Sequence, residues 1–171
     1  MPVIRVTCPE NVLTAQQKEQ LAPMLIDAVM TQEVDPVTDV ARNATFLVYH
    51  EIPQQNCFLG SEPFWLVEAM TAAGFFTQER RDRTQTAVTQ AFLKVLGDDG
   101  SSTELGGVRI APAYLRRLYC LLIEIPEGSW GATGHGVSAL EIGQMIGSDK
   151  DPQRWSELKV TTAKLQAARA T

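Results

Sequence analysis

Pro2 carries the most chemistry in the fewest atoms of this chain. With Met1 removed it is a secondary amine at the head of the apolar stretch Pro2-Val3-Ile4-Arg5-Val6. An α-amino group titrates at roughly 7.7–8.0, and burial or nearby cations lower that value. Such an amine can take and return a proton near neutral pH. The same proline has a plainer reading as the first residue of a strand. Other reactive groups give weaker signals. Cys57 and His50 could form a thiol–imidazole pair, but no spacing fixes their distance, and a buried cysteine packs as a small apolar side chain. His135 stands between Gly134 and Gly136, either as a solvated loop imidazole or as part of a loop closing over a pocket. Gly131, Gly134 and Gly136 do not have the order of a dinucleotide-binding turn. Asp27 reads as a cap or surface ion-pair partner sooner than as an acid catalyst.

The elements that would position Pro2 are written twice. Pro2-Val3-Ile4-Arg5-Val6 leads to Leu13-Thr14-Ala15-Gln16-Gln17-Lys18, and Trp65-Leu66-Val67-Glu68-Ala69 leads over the same distance to Phe76-Thr77-Gln78-Glu79-Arg80-Arg81. Thr14 and Gln17 have the spacing of a capping box, and Thr77 is the matching cap. Leu21, Met24, Leu25, Ala28 and Val29 recur as a helical stripe, as do Val88, Ala91, Phe92, Val95 and Leu96. Second strands follow over residues 45–51 and 118–124, and each runs into Ile-Pro, whose missing amide ends a ladder. A strand–helix–strand unit in one sheet makes a parallel, right-handed crossover. The expected fold class is therefore α/β (α+β): two tandem β-α-β units forming a four-stranded sheet with two helices on one face. Val3, Val48, Val67 and Leu122 make the strands apolar on both faces, so the uncovered face calls for an oligomer. Residues 1–136 are expected to be one domain made of repeats 1–62 and 63–136. Residues 137–171 form a C-terminal helical extension, peripheral or between subunits.

Composition narrows the function further. The chain has 171 residues, 44% of them hydrophobic, and a net charge of −5 with no basic run. It can bury a core but has no cationic face for nucleic acid. Cys8, Cys57 and Cys120 are widely separated, and only His50 and His135 could join them on a metal. With no secretory or membrane-spanning run, they read as reduced thiols of a cytoplasmic protein without a membrane partner.

A duplicated strand–helix–strand chain with proline after the initiator resembles the tautomerase superfamily, the fold of 4-oxalocrotonate tautomerase and macrophage migration inhibitory factor. The resemblance runs from Pro2 to about Gly134. Pro2-Val3, Leu13-Thr14, Lys18, Ile26-Asp27-Ala28 and Asn56-Cys57-Phe58-Leu59-Gly60 are closest in pattern to the cis-3-chloroacrylic acid dehalogenase-like group. Glu124-Ile125-Pro126-Glu127-Gly128-Ser129-Trp130-Gly131 is similar to the hairpin that closes the repeat in 4-oxalocrotonate tautomerase, and Gly60-Ser61-Glu62-Pro63 to a segment of migration inhibitory factor. The resemblance implies a homotrimer with amino-terminal prolines in pockets at subunit interfaces, acting without cofactor or metal.

Carried over by position, Pro2 is the catalytic amine. Tyr119 falls where migration inhibitory factor has its active-site tyrosine, able to hold a substrate oxygen or simply to pack on its strand. Trp130 falls on an aromatic wall of the pocket, or is plain hairpin packing. Ala73 and Phe76 replace the arginine pair of the dehalogenase group, Val29 its histidine, Ala132 its water-activating glutamate and Leu121 its second tyrosine; Leu13 replaces the arginine of 4-oxalocrotonate tautomerase. A substrate carboxylate would need another cation. Arg117 is the best placed, two residues from Tyr119 and so on its face. Arg5 and Arg116 follow, while Arg80, Arg81 and Arg83 read as a solvated helix face.

The expected function is a cofactor-independent tautomerase acting on a small keto or enol acid. The alternatives are a hydratase, dehalogenase or decarboxylase of a three-carbon acid, and a non-catalytic trimeric binding protein.

Overall fold

A computed structural model describes residues 2–57 and 62–169. Phe58, Leu59, Gly60 and Ser61, part of the segments that carry the resemblance, lie outside them.

Each half folds as its pattern dictates. Strand β1 (Val3–Pro9), helix α1 (Ala15–Glu33), a short helix α2 (Asp39–Asn43) and strand β2 (Phe46–Ile52) make the first unit. Strand β3 (Trp65–Ala72), helix α3 (Gln78–Leu96), a small hairpin of β4 (Thr103–Leu105) and β5 (Val108–Ile110), and strand β6 (Leu118–Ile125) make the second. Thr14 and Gln17 close a reciprocal capping box on α1, and Thr77 accepts the amide of Arg80 to start α3.

Among the described residues, the main sheet has four strands in the order β2-β1-β3-β6. Strands β1 and β2 are parallel, as are β3 and β6, and the two units join through antiparallel β1 and β3. The helices cover one face. Ile4, Val6 and Cys8 of β1 and Val67 and Ala69 of β3 meet Leu21, Leu25 and Val29 of α1 and Val88 and Phe92 of α3. Burying each larger apolar side chain contributes about 1.5–3 kcal/mol. Trp65 closes this core, its ring centroid 5.9 Å from Phe92 and 5.8 Å from Tyr114.

The opposite face is open. Phe46 is 70% exposed, Tyr119 56%, Val48 48% and Leu121 47%. These apolar groups stand beside Arg5 and Glu68, paired across β1 and β3 at 3.5 Å.

The chain then forms a second hairpin, β7 (Trp130–Ala132) with β8 (His135–Val137), and helices α4 (Ala139–Ile146) and α5 (Pro152–Arg169). The sequence suggests an extension that is peripheral or lies between subunits; within the chain these helices supply a core of their own. Ala139, Ile142, Ile146 and Leu158 pack with Met30 and Val34 at the end of α1 and with Ala72 and Phe75 after β3. Ser138 and Glu141 form a capping box on α4, and Gly147 ends it in the left-handed conformation at φ 95° that favours glycine. Gly143 lets α4 and α5 touch: a Cβ there would lie 2.8 Å from Leu158 Cδ2. Arg80 and Arg81, expected on a solvated face, are also engaged. Arg80 Nη1 donates to Phe75 O at 3.0 Å and Arg80 Nη2 to Glu157 at 2.7 Å, while Arg81 pairs with Glu124.

Candidate active site

The register divides the candidate residues between the two ends of the sheet. Pro2 is buried and enters the ladder through its carbonyl, which accepts the amide of Phe46 at 3.2 Å. Val3 faces Met70 across β1 and β3, so one further step sets Pro2 opposite Thr71. Alternation puts both on the helix side with Ile4 and Ala69, because successive strand residues point to opposite faces. Thr71 in turn lies beside Glu124 of β6. Pro2, Thr71 and Glu124 therefore form one row across three strands.

Charged groups gather at that row. Thr71 Oγ1 donates to Glu33 Oε1, and both residues are fully buried. Glu124 Oε1 accepts the amide of Gly74 at 3.1 Å, and its other oxygen pairs with Arg81. The Arg81 guanidinium lies 5.7 Å from the centre of the Phe76 ring. Ala73 and Phe76, where the resemblance looks for arginines, are buried apolar groups. Trp130 belongs to this end as well: it follows the end of β6, pairs with Val137 and packs against the second core.

Tyr119 and Arg117 are at the other end. Tyr119 pairs with Leu66, five residues along β3 from Thr71. At roughly 3.3 Å per residue the two rows are about 16 Å apart, with about 10 Å more across the intervening strands. Arg117 ends the turn Ala113–Arg117 that precedes β6. Its Nε is 2.6 Å from Glu62 Oε2, and Arg116 Nη2 is 3.6 Å from the same oxygen. A cleft of about 420 Å³ opens here, lined by Glu62, Asp99, Ser101, Tyr114, Arg116 and Arg117. A shallower one of about 250 Å³ adjoins it, lined by Phe64, Leu105, Arg116, Arg117 and Tyr119. Arginine guanidinium groups with a tyrosine hydroxyl suit a small carboxylate with a neighbouring carbonyl oxygen.

The remaining reactive groups do not converge. Cys8 is held well away from its thiolate by burial, its pKa pushed up to about 11, and burial does the same to Cys120, also about 11. Cys57 makes long sulfur contacts to the carbonyls of Ile52 and Pro53 at 3.9 and 3.6 Å, with His50 exposed on the open face. Asp27 pairs with Arg42 at 2.7 Å on the surface. Among the described residues no three His, Cys, Asp or Glu groups are placed to hold a metal ion.

No family model matches this chain, and neither does any curated protein sequence. Solved structures do. Pt0534 inactivated by 2-oxo-3-pentynoate matches with a TM-score of 0.58 at 20% identity, covering 82% of this chain and 98% of that one. A symmetric trimer of wild-type fused 4-OT matches with a TM-score of 0.58 at 22% identity and the same coverage. This chain has the tautomerase fold. Macrophage migration inhibitory factor from Toxoplasma gondii shares it with a TM-score of 0.56 at 16% identity, over 79% of this chain and 99% of that one. The fold thus accommodates nearly the whole of each relative, and this chain carries additional length.

Glu33 is the residue of this region that the sequence reading passes over. Its signal was present: Leu21, Leu25 and Val29 continue at the same spacing to Glu33, so a carboxylate occupies the next position of an otherwise apolar stripe.

Proposed function

We propose that this protein is a cofactor-independent tautomerase of a small keto or enol acid, with the amine of mature Pro2 as general acid and base. The observation that carries this reading is the buried position of Pro2 at the head of a central strand in a chain with the tautomerase fold. A strand that begins with an amine can present it at the sheet's rim, where a proton can pass between a substrate's carbon and oxygen.

The site we propose is shared between subunits. Within one chain, Pro2 is a sheet's length from Tyr119 and Arg117, too far for one small acid to touch all three. A homotrimer packed through the open face, where Phe46, Val48, Tyr119 and Leu121 are exposed, would bring Tyr119 and Arg117 of one copy toward Pro2 of the next. Arg117 would then hold the substrate carboxylate, Tyr119 would hydrogen-bond the oxygen that gains charge on enolisation, and Trp130 would wall the amine. The fused 4-OT relatives are themselves trimers.

The test is enolisation of phenylpyruvate, and ketonisation of an oxalocrotonate-like dienol, by protein with a free Pro2 amine. Turnover above buffer is expected, with Pro2→Ala reduced by a factor of about 10²–10⁴, the range for loss of a general acid–base group. Equal rates for the two proteins would refute the reading.

A further inference from the structure

The two repeats differ most between the helix and the second strand. The first unit bridges them with the short helix α2, and the second with the β4–β5 hairpin and the turn Ala113–Arg117. Strands β4 and β5 pair antiparallel around Gly106-Gly107, so Leu105 and Val108 stand directly opposite each other at the tip. Residues paired in this way share a face of the ribbon. Both are large apolar side chains in water: Leu105 is 59% exposed and Val108 64%.

Hydrogen bonds fix where this tip stands. Ser101 Oγ, just before β4, accepts the amide of Ala113 at 2.9 Å, and Tyr114 Oη donates to Gly97 O at 2.8 Å. The base of the hairpin is thereby clamped to the turn that carries Arg116 and Arg117. Leu105 borders the shallower cleft of about 250 Å³, together with Phe64 next to the start of β3, Arg116, Arg117 and Tyr119. That cleft combines two apolar side chains with two guanidinium groups and a tyrosine hydroxyl.

A lining of this kind suits a ligand with two unlike ends. Guanidinium groups take a carboxylate. Glu62 already holds one oxygen against both arginines, 2.6 Å from Arg117 and 3.6 Å from Arg116, but a guanidinium presents more N–H donors than one oxygen engages. The Arg116 side chain is 39% exposed, within reach of an incoming acid. A wholly polar ligand would leave Leu105 and Phe64 against water, whereas an apolar substituent removes them from it. We propose that Leu105 of the hairpin and Phe64 form a specificity subsite, which selects small acids bearing an aryl or branched apolar substituent over acids that are short or charged at both ends. This inference rests on reading the Arg117–Tyr119 cleft as the place that holds the substrate acid, and it names the substrate's other end.

The experiment compares binding of 3-phenylpropanoate and propanoate, neither of which has a keto group to enolise, by NMR titration of the full chain with ¹³C-methyl leucine labels. A methylene in an apolar pocket is worth roughly tenfold or more in discrimination. We expect the phenyl acid to bind about tenfold tighter than propanoate or more, shifting the Leu105 methyl signals. Most of that preference should be gone in Leu105→Ser and in Phe64→Ala, and kept in Leu105→Met. Val160→Ser, which removes a similarly exposed apolar side chain from α5, should keep it too. Equal affinities in the wild type, a preference indifferent to Leu105→Ser, a loss as large in Val160→Ser, or no binding of either acid overturns the inference. Because binding is read without turnover, this inference and the tautomerase reading fail separately. A Leu105-dependent preference in a protein without keto–enol turnover would leave the subsite standing and remove the reaction; Pro2-dependent turnover with equal binding of the two acids would do the reverse.

Discussion

The side chains fall into those whose protons the fold locks away and those it leaves at a rim. Cys8 and Cys120 belong to the first kind, and their raised pKa makes stability depend on pH. In the folded protein both thiols stay protonated up to about 11, while an unfolded cysteine ionises near 8.5. Their contribution is therefore complete below about pH 8.5 and is lost as pH rises toward the folded value, because the unfolded state releases protons first. Thermal melts from pH 8 to pH 11 should show the melting temperature falling, with a shallower fall in Cys8→Ala/Cys120→Ala; parallel curves would contradict the assignment. The place of Pro2 at the head of a strand was legible at this scale, since a proline before an apolar alternating stretch needs no tertiary information. The division of Tyr119 and Arg117 from Pro2 was not. It follows from the antiparallel pairing of β1 with β3, a long-range contact that neither segment encodes. Glu33 was visible as a carboxylate in an apolar stripe, but its burial against Thr71 appears only in the fold.

At the scale of elements, local rules and tertiary packing part company in the C-terminal third. The capped helices of the two repeats were legible because caps and stripes are local: Thr14 with Gln17 and Thr77 act on amides three residues away. The β4–β5 hairpin and α2 are short and carry little periodicity, so they gave no comparable signal. For α5 the polar pattern hid its role. Leu158 is 2% exposed and Val160 is 53% exposed, so one face of a mostly polar helix carries the contact with α4 and the end of α1. Leu158→Ala should cost about 2–5 kcal/mol, lowering the melting temperature by on the order of 10 °C. Val160→Ala should shift it little, as expected for an exposed position. Equal effects would mean that α5 is not docked. Ser148 and Arg154 also tie the extension to the last turn of α1.

The whole molecule is half covered. One face of the sheet is sealed by α1 and α3, and the other exposes Phe46, Val48, Tyr119 and Leu121. The alternation of apolar residues made that imbalance legible, since a strand buried on one side only would carry polar residues on the other. What no single chain encodes by local pattern is how copies meet. The proposed site, shared between two subunits, would account for Pro2 and the Tyr119–Arg117 cleft standing at opposite ends of one sheet, and it makes a demand that a site within one chain does not. Pro2→Ala protein and Arg117→Ala/Tyr119→Phe protein should each be inactive in phenylpyruvate enolisation. Unfolded together in equal amounts and refolded, they should recover activity, because some interfaces then pair an intact Pro2 with an intact neighbouring cleft. In a randomly mixed homotrimer about a quarter of the sites would be restored. Recovery near that level is the result the account predicts; a mixture as inactive as its two components would contradict it.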